Sequence, residues 1–411
     1  MLPASYQTTL RAHLNEQQYL TLQLLLLLLQ VHRQVKLSTL ASVFPQPIHY
    51  QSRKRNLQRF LVLPQLSAKL LWFPLLKYWI RQMQTGRGSN REQRRRLRQL
   101  KHPKSGYWVV AIDRTQWRGR NVFMVSLVWG THALPLYWEV LKHPGNSDLR
   151  TQKRLLKAVL PLFRAYPVLV LGDREFHSPK LADWLASRNL AFALRQKKDL
   201  HFQGASETKY QVVKDLGLAP GRSSFYAHVW CNKGDGLGPF NLAVYWKRKY
   251  RGKGPKEPWY ILTNLSDLKQ TLAIYRCRWG IEQLFKDCKT GGYNLEATQV
   301  NDRRFLALVL LIALAYTLAT LEGQRLRQLR IAHYVGRIQE HRDKTFRQSH
   351  FSLGLYGQRW LYGMELWADW ACQLMALKPH KRLNFQRGLQ ALFLMQQSFY
   401  LGCHPVRSLK D

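Results

Sequence analysis

The chain has 411 residues, room for roughly two to four domains, and its 46% hydrophobic and 12% aromatic content excludes a disordered or fibrous protein. Lys and Arg number 64 against 24 Asp and Glu, a formal charge of +40. A field of that sign selects polyanionic partners, nucleic acid or an anionic membrane surface, and interleaved aromatic rings that can stack on bases favour nucleic acid. Cys231, Cys277, Cys288, Cys372 and Cys403 have no metal-ligand spacing, and the 14 His form no HExxH pattern. Reduced thiols in a cytosolic protein, and no zinc site, are the expectation.

Residues 1–100 read as helical. Residues 38–44, a Pro-Gln-Pro turn and the basic stretch 49–61 resemble a helix-turn-helix, with a plain helical pair equally compatible. The apolar run at 24–29 is too short to span a bilayer and lacks the flanks of a signal peptide. Residues 84–106 are rich in Gly and Arg and mark a domain boundary, with Arg94–Arg96 as candidate phosphate contacts.

From 107 the pattern turns to strands: 107–112, 120–130 and 133–141 predict an antiparallel meander. Ser147 reads as the cap of a helix over 148–163. The continuous apolar run 166–172 predicts a buried parallel strand. Ser178-Pro179 opens another helix, and 191–196 another strand. The order β-β-β-α-β-α-β is that of a ribonuclease-H-like α/β fold. Residues 199–258 read as a β insertion, with strands at 224–231 and 240–249 and Lys247–Lys249 as further phosphate contacts. The stretch 259–265 is a strand, and a helix starts near Leu268. The uncharged run 305–321 is at the short end of membrane-spanning length. With no second such span, it reads as a buried helix. The domains expected are a helical DNA-binding region over 1–105, a catalytic core over 106–198 and 259–325, the insertion 199–258, and a helical C-terminal region 326–411.

Chemistry concentrates in residues 274–292, where Glu282 stands among Arg276, Arg278, Lys286 and Lys289. On one continuous helix with Tyr275 at the origin, Arg278 falls at about −60°, Glu282 at about −20° and Lys289 at about −40°. One rim then presents a phenol, a guanidinium, a carboxylate and an ammonium together. Cations grip phosphate oxygens and a carboxylate holds a metal, so the rim suits a phosphodiester; an intrahelical Arg278–Glu282 pair is the alternative. Asp113 ends the first predicted strand and Asp173 the first buried parallel strand. In the expected sheet these strands are neighbours, so three carboxylates can share the two divalent ions of an in-line phosphoryl transfer. Glu175 and Asp148 are rival acids that chemistry alone leaves open.

The spacing Tyr275-x2-Arg278-x3-Glu282-x6-Lys289 resembles the YREK signature of DDE transposases of the insertion-sequence-four family, and the resemblance covers about 107–325. IDRTQW around Asp113, GDREF around Asp173 and the long gap before Glu282, with room for a β insertion, are similar to the same family. The resemblance implies a cut-and-paste DNA transposase, an endonuclease that also performs strand transfer. Asp113, Asp173 and Glu282 would be catalytic metal ligands for two Mg2+ ions, with Mn2+ as a substitute. Tyr275, Arg278 and Lys289 would bind DNA. Trp259, which matches the family's Trp ahead of the Tyr, would stack a flipped base during formation of hairpin ends. Implied partners are double-stranded DNA with terminal inverted repeats, target DNA and a second copy in a homodimeric DNA complex, with no membrane; the implied location is the prokaryotic cytoplasm at the nucleoid. An inactive DNA-binding protein on the same scaffold, a ribonuclease-H-type nuclease without strand transfer and a membrane-associated basic protein are the other readings.

Overall fold

A computed structural model describes residues 2, 4–85, 106–164, 166–248, 251, 254–337 and 348–399. Arg94–Arg96, Lys249 and most of the proposed boundary at 84–106 lie outside them. The chain forms two compact units, Leu76–Phe285 and Met1–Leu75 with Lys286–Asp411.

The first unit is built on a ten-stranded sheet. Three long strands, β1 (Trp108–Trp117), β2 (Arg120–Trp129) and β3 (His132–Leu141), form the expected antiparallel meander. Their side chains are buried on both faces along most of their length, which explains why the sequence shows apolar runs rather than clean alternation. The helix Leu149–Val159 then crosses to β4 (Val168–Gly172), parallel to β1. The helix Pro179–Ala186 crosses to β5 (Ala191–Arg195), parallel to β4. The resulting order, β3-β2-β1-β4-β5, is the ribonuclease-H-like arrangement anticipated from the element order.

The strands read as an insertion continue the same sheet. Beyond β5 come β10 (Trp259–Thr263), β9 (Leu237–Tyr245), β8 (Ser223–Cys231), β6 (His201–Gln203) and β7 (Gln211–Val212), paired antiparallel. Strand β9 ends at Tyr245, short of the predicted 249. The crossover helix is capped by Asp148, whose carboxylate accepts from Thr151 N at 2.7 Å, and not by Ser147.

The second unit is helical. Asn15 and Gln18 form a reciprocal capping box that starts the helix Glu16–His32. Asn301 caps the long helix Asp302–Gln328. That helix is long and apolar enough to cross a membrane, yet 89% of its most apolar stretch is buried inside the protein. It packs against Glu16–His32 and against His350–Leu366, and Gln30 Nε2 donates to Ala315 O at 3.2 Å within that core. The predicted N-terminal pair is present as Leu37–Val43 and Tyr50–Phe60. Arg53 staples the two by donating to Ala41 O and Gln46 O, while Gln51, Ser52, Arg55 and Arg59 on the second helix face solvent.

Candidate active site

The parallel pairing of β1, β4 and β5 runs out at one level, although β1 itself, expected to end before Asp113, continues to Trp117 in its pairing with β2. Ile112 pairs with Gly172, and Gly172 with Leu194. The next residues are Asp113, Asp173 and Arg195. Carboxyl ends of neighbouring parallel strands are where α/β folds place their chemistry. Gly172 makes the exit possible: a Cβ there would lie 2.8 Å from Phe176 Cβ, so a larger residue would push the Asp173 turn off the sheet. Asp173 then caps that turn, accepting from Glu175 N at 2.8 Å.

Glu282 arrives on a separate helix. The single helix expected from Leu268 is broken at Cys277–Arg278 into Leu268–Arg276 and Trp279–Cys288. Across the break Cys277, Arg278, Gly280 and Ile281 each donate to the carbonyl three residues back, which tightens the turn. The uniform 100° step therefore fails there, and the four-residue rim is not one helix face. Two contacts fix the second helix against the meander. Gly280 lies against His132, where a Cβ would come within 2.7 Å of the carbonyl oxygen, and Phe285 packs edge-on to Trp117 at 5.9 Å.

Arg278 is the junction of this arrangement. Its Nη1 donates to Asp113 Oδ2 at 3.2 Å, and its Nη2 makes a short hydrogen bond to Glu282 Oε1. So the guanidinium ties the β1 carboxylate to the helix carboxylate. Asp113 is buried. Burial, followed by the charge of Asp173, pushes its carboxyl up to about 7 against the pull of Arg278. A buried anion beside a like charge calls for more positive charge than one arginine supplies.

Tyr275 is buried behind Arg278, and burial raises its phenol to about 12, opposed by the Arg278 and Arg195 cations. Its ring meets Trp259 at 5.1 Å, edge to face, and Trp259 in turn meets Tyr245 at 5.9 Å. Tyr245, Lys247, Pro255, Glu257, Trp259 and Arg276 line a cleft of about 470 Å³, with the Arg276 guanidinium 5.5 Å over the Tyr245 ring.

Asp113, Asp173, Arg278, Glu282, Tyr275 and Trp259 are thus gathered in the sheet unit. Lys289 is not on the Glu282 helix, which ends at Cys288. It belongs to the helical unit, where its Nζ pairs with Glu296 at 3.2 Å.

The rival acids have other work. Glu175 accepts from Arg114 Nε at 2.8 Å and from both Ser147 N and Oγ at 3.0 Å, and Asp148 is the helix cap.

The family described as the transposase DDE domain matches residues 104–318, more than half of the chain. The chain belongs to the DDE-domain transposases. No curated protein matches it. Among solved structures it is similar to the cryo-EM structure of the piggyBac transposase synaptic complex with hairpin DNA. Identity is 12% and the TM-score 0.41, over 84% of this chain and 71% of that one.

For a transposase of this family a divalent cation is the expected cofactor. Among the described residues no three acidic, His or Cys side chains are drawn together closely enough to form a complete metal cage. The donor set nevertheless fits a hard divalent ion: every candidate ligand is a carboxylate oxygen, and Asp113 is held in a state that added positive charge would relieve.

The sequence reading missed Arg195. Burial lowers its pKa, and its charge faces Tyr275, Arg174 and Arg278. Its position, last residue of a buried parallel strand, was the signal available. Tyr245 and Arg276, the other walls of the cleft, carried none.

Proposed function

We propose that this transposase is a cut-and-paste enzyme of the insertion-sequence-four group that cleaves element ends and joins them to target DNA. The observation that carries the reading is the convergence of Asp113, Arg278 and Glu282, with Asp173 leaving the neighbouring strand at the level of Asp113. A pair of Mg2+ ions, or Mn2+, held by Asp113, Asp173 and Glu282 would activate the attacking hydroxyl and stabilise the leaving oxygen.

This chain's own residues would do the rest. Asp113 would give up its proton as the site fills. Arg278, released from the carboxylates, would be free to grip a phosphate oxygen, with the adjacent Arg195 adding charge. Tyr275, its phenol pushed up to about 12 by burial, would act as a hydrogen-bond donor and a wall. Trp259 and Tyr245, bordered by Arg276 and Lys247, offer a ring-lined cleft suited to a base displaced from the duplex during a hairpin step. Lys289 would serve as a phosphate contact, at the cost of its pair with Glu296. The +40 charge would supply affinity for any duplex, falling steeply with salt. Two copies would act on paired ends bearing terminal inverted repeats.

The test uses labelled duplex carrying the sequence that flanks the gene, with Mg2+, with EDTA, and with Glu282→Ala protein plus Mg2+. Cutting at a defined end that needs metal and disappears in the variant, while DNA binding persists, supports the reading. A denaturing gel of the same products shows whether hairpins form. Tight binding without cutting under any divalent metal refutes it and leaves an inactive DNA-binding protein. Cutting without joining in the presence of target DNA leaves a nuclease.

A further inference from the structure

The helical unit leaves a large apolar surface uncovered. The helix Ala368–Ala376 buries none of its residues. Trp370 and Leu374, four residues apart, lie on one face of that helix, with Trp367 at the break before it and Leu377 at its C-cap. Leu366 borders this stripe, and Leu383 lies on the following helix, Arg382–Ser398. All six side chains are between 52% and 76% exposed. Trp367 and Trp370 stack face to face at 5.0 Å, so the stripe starts with a flat ring platform. At roughly 200 Å² for a fully open side chain of this size, the six leave on the order of 800 Å² uncovered. That is about what one partner contributes to a stable protein interface, and more than the largest apolar patch of an ordinary monomer.

Charge identifies the occupant. Between Arg359 and Lys378 the chain carries no Lys or Arg, only Glu365 and Asp369. In a chain of net charge +40 this is a local acidic island. It disfavours a phosphate backbone or an anionic lipid surface, the two partners the rest of the charge selects. Just beyond the stripe stand Lys378, Lys381 and Arg382. The segments of this chain outside the described residues, 86–105, 338–347 and 400–411, contain no run of large apolar residues at a/d spacing.

We infer that the stripe from Trp367 to Leu377 is a self-association surface, on which a second copy of this chain packs antiparallel about a two-fold axis. Antiparallel packing sets the exposed Asp369 of one copy against Lys378, Lys381 and Arg382 of the other, so a single patch is complementary to itself in shape and charge. The assignment deepens the paired-end reading above but rests on exposure and charge, and its test needs no DNA cleavage.

The test is analytical ultracentrifugation of the full-length protein, free and with end DNA, up to about 50 μM and in salt high enough to screen the overall charge. The expected result is a dimer whose dissociation constant rises at least about tenfold in Trp370→Glu and in Leu374→Glu. Thermal melts of both variants should match the wild type, since both side chains already face solvent. Asp369→Lys and Lys381→Glu should each weaken the dimer, and the double variant should recover it, which a mere loss of apolar area would not produce. A wild type that stays monomeric with and without DNA overturns the inference, as does a dimer indifferent to both Glu substitutions. Binding to anionic phospholipid vesicles that Trp370→Glu abolishes would assign the face to a membrane and also overturn it. Single-end cutting by dimer-deficient protein keeps this result separate from any failure of the catalytic reading.

Discussion

Replacing Asp113 with Asn should make the metal-free protein more stable, by an amount that depends on pH. Burial and the neighbouring Asp173 raise the Asp113 carboxyl from 3.8 to about 7. The folded protein therefore holds a proton that the unfolded chain has already released across that interval. For an acid raised on folding, stability falls as pH climbs from the unfolded value to the folded one, and the deficit is complete above about pH 7. At 1.36 kcal/mol per pH unit the full deficit is about 4 kcal/mol at pH 8 and about 1.5 kcal/mol at pH 5. Asn copies the protonated acid in shape and carries no charge, so Asp113→Asn should gain up to those amounts. The figures are ceilings, because the substitution also deprives Arg278 of one of its two carboxylates. The assay is urea unfolding in EDTA at pH 5 and pH 8, followed by tryptophan fluorescence; Trp117, on the same strand as Asp113, is fully buried. Adding Mg2+ at pH 8 should raise the wild type and leave the variant unmoved. Equal stability of the two proteins at pH 8, or a gain larger at pH 5 than at pH 8, refutes the account of the site as an unmet demand for positive charge.

Glu175→Ala strands Arg114, whose side chain is only 17% exposed, and should cost about 3 kcal/mol by chemical denaturation, whereas Glu282→Ala should abolish cutting with little loss of stability. Gly280→Ala drives a methyl into the His132 carbonyl; a loss of about 1–3 kcal/mol is expected, with slower cutting as the Glu282 helix shifts. With the Tyr275 phenol at about 12, a cleavage profile between pH 7 and 10 should look the same in wild type and Tyr275→Phe; a limb present only in the wild type would contradict that value. Arg55→Ala and Arg59→Ala should weaken duplex binding in a salt-dependent manner without altering thermal stability, because both side chains project from the N-terminal helical pair into solvent.

How legible the sheet unit was depends on how local its signals are. The meander, the two crossovers and the parallel strands each have their own apolar run and turn residues, so Asp173 could be placed at a strand end; the first strand, expected to stop at 112, runs on to Trp117 and leaves Asp113 inside it, where the pairing with β4 stops. The expected place of Lys289 on one helix rim with Glu282 gave way for a local reason of another kind. The motif spacing was laid on an ideal helix; the tight turn at Cys277–Arg278 does not depart from helical composition, whereas the end at Cys288 was signalled by Thr290-Gly291-Gly292. Ser147 and Asp148 are both good caps; what decides between them is Glu175, 28 residues away, which takes both the backbone and the hydroxyl of Ser147. The joining of β9 to β10 and of β10 to β5 was invisible for the same reason, since strand pairing at long range leaves no trace in the periodicity of either partner. Arg195 and the Tyr245–Trp259–Arg276 cleft are products of that pairing.

The scarcity of acid in this chain turns position into evidence. In the sheet unit the acids withdrawn from solvent can be followed one by one. Glu175 neutralises Arg114 and anchors Ser147. Glu139 holds Arg154. Glu207 turns back on Gly204 and Gln211 to close its loop. Each of these has a partner whose need explains it. Asp113 and Glu282 have no such explanation. They are linked to each other only through Arg278, and Asp113 is made less stable by the company of Asp173. In a protein with 64 cations these two acids share a single arginine. The unfavourable placement is what a site must carry if its positive charge is to arrive from outside, first with a metal and then, through the freed Arg278, in exchange for a phosphate.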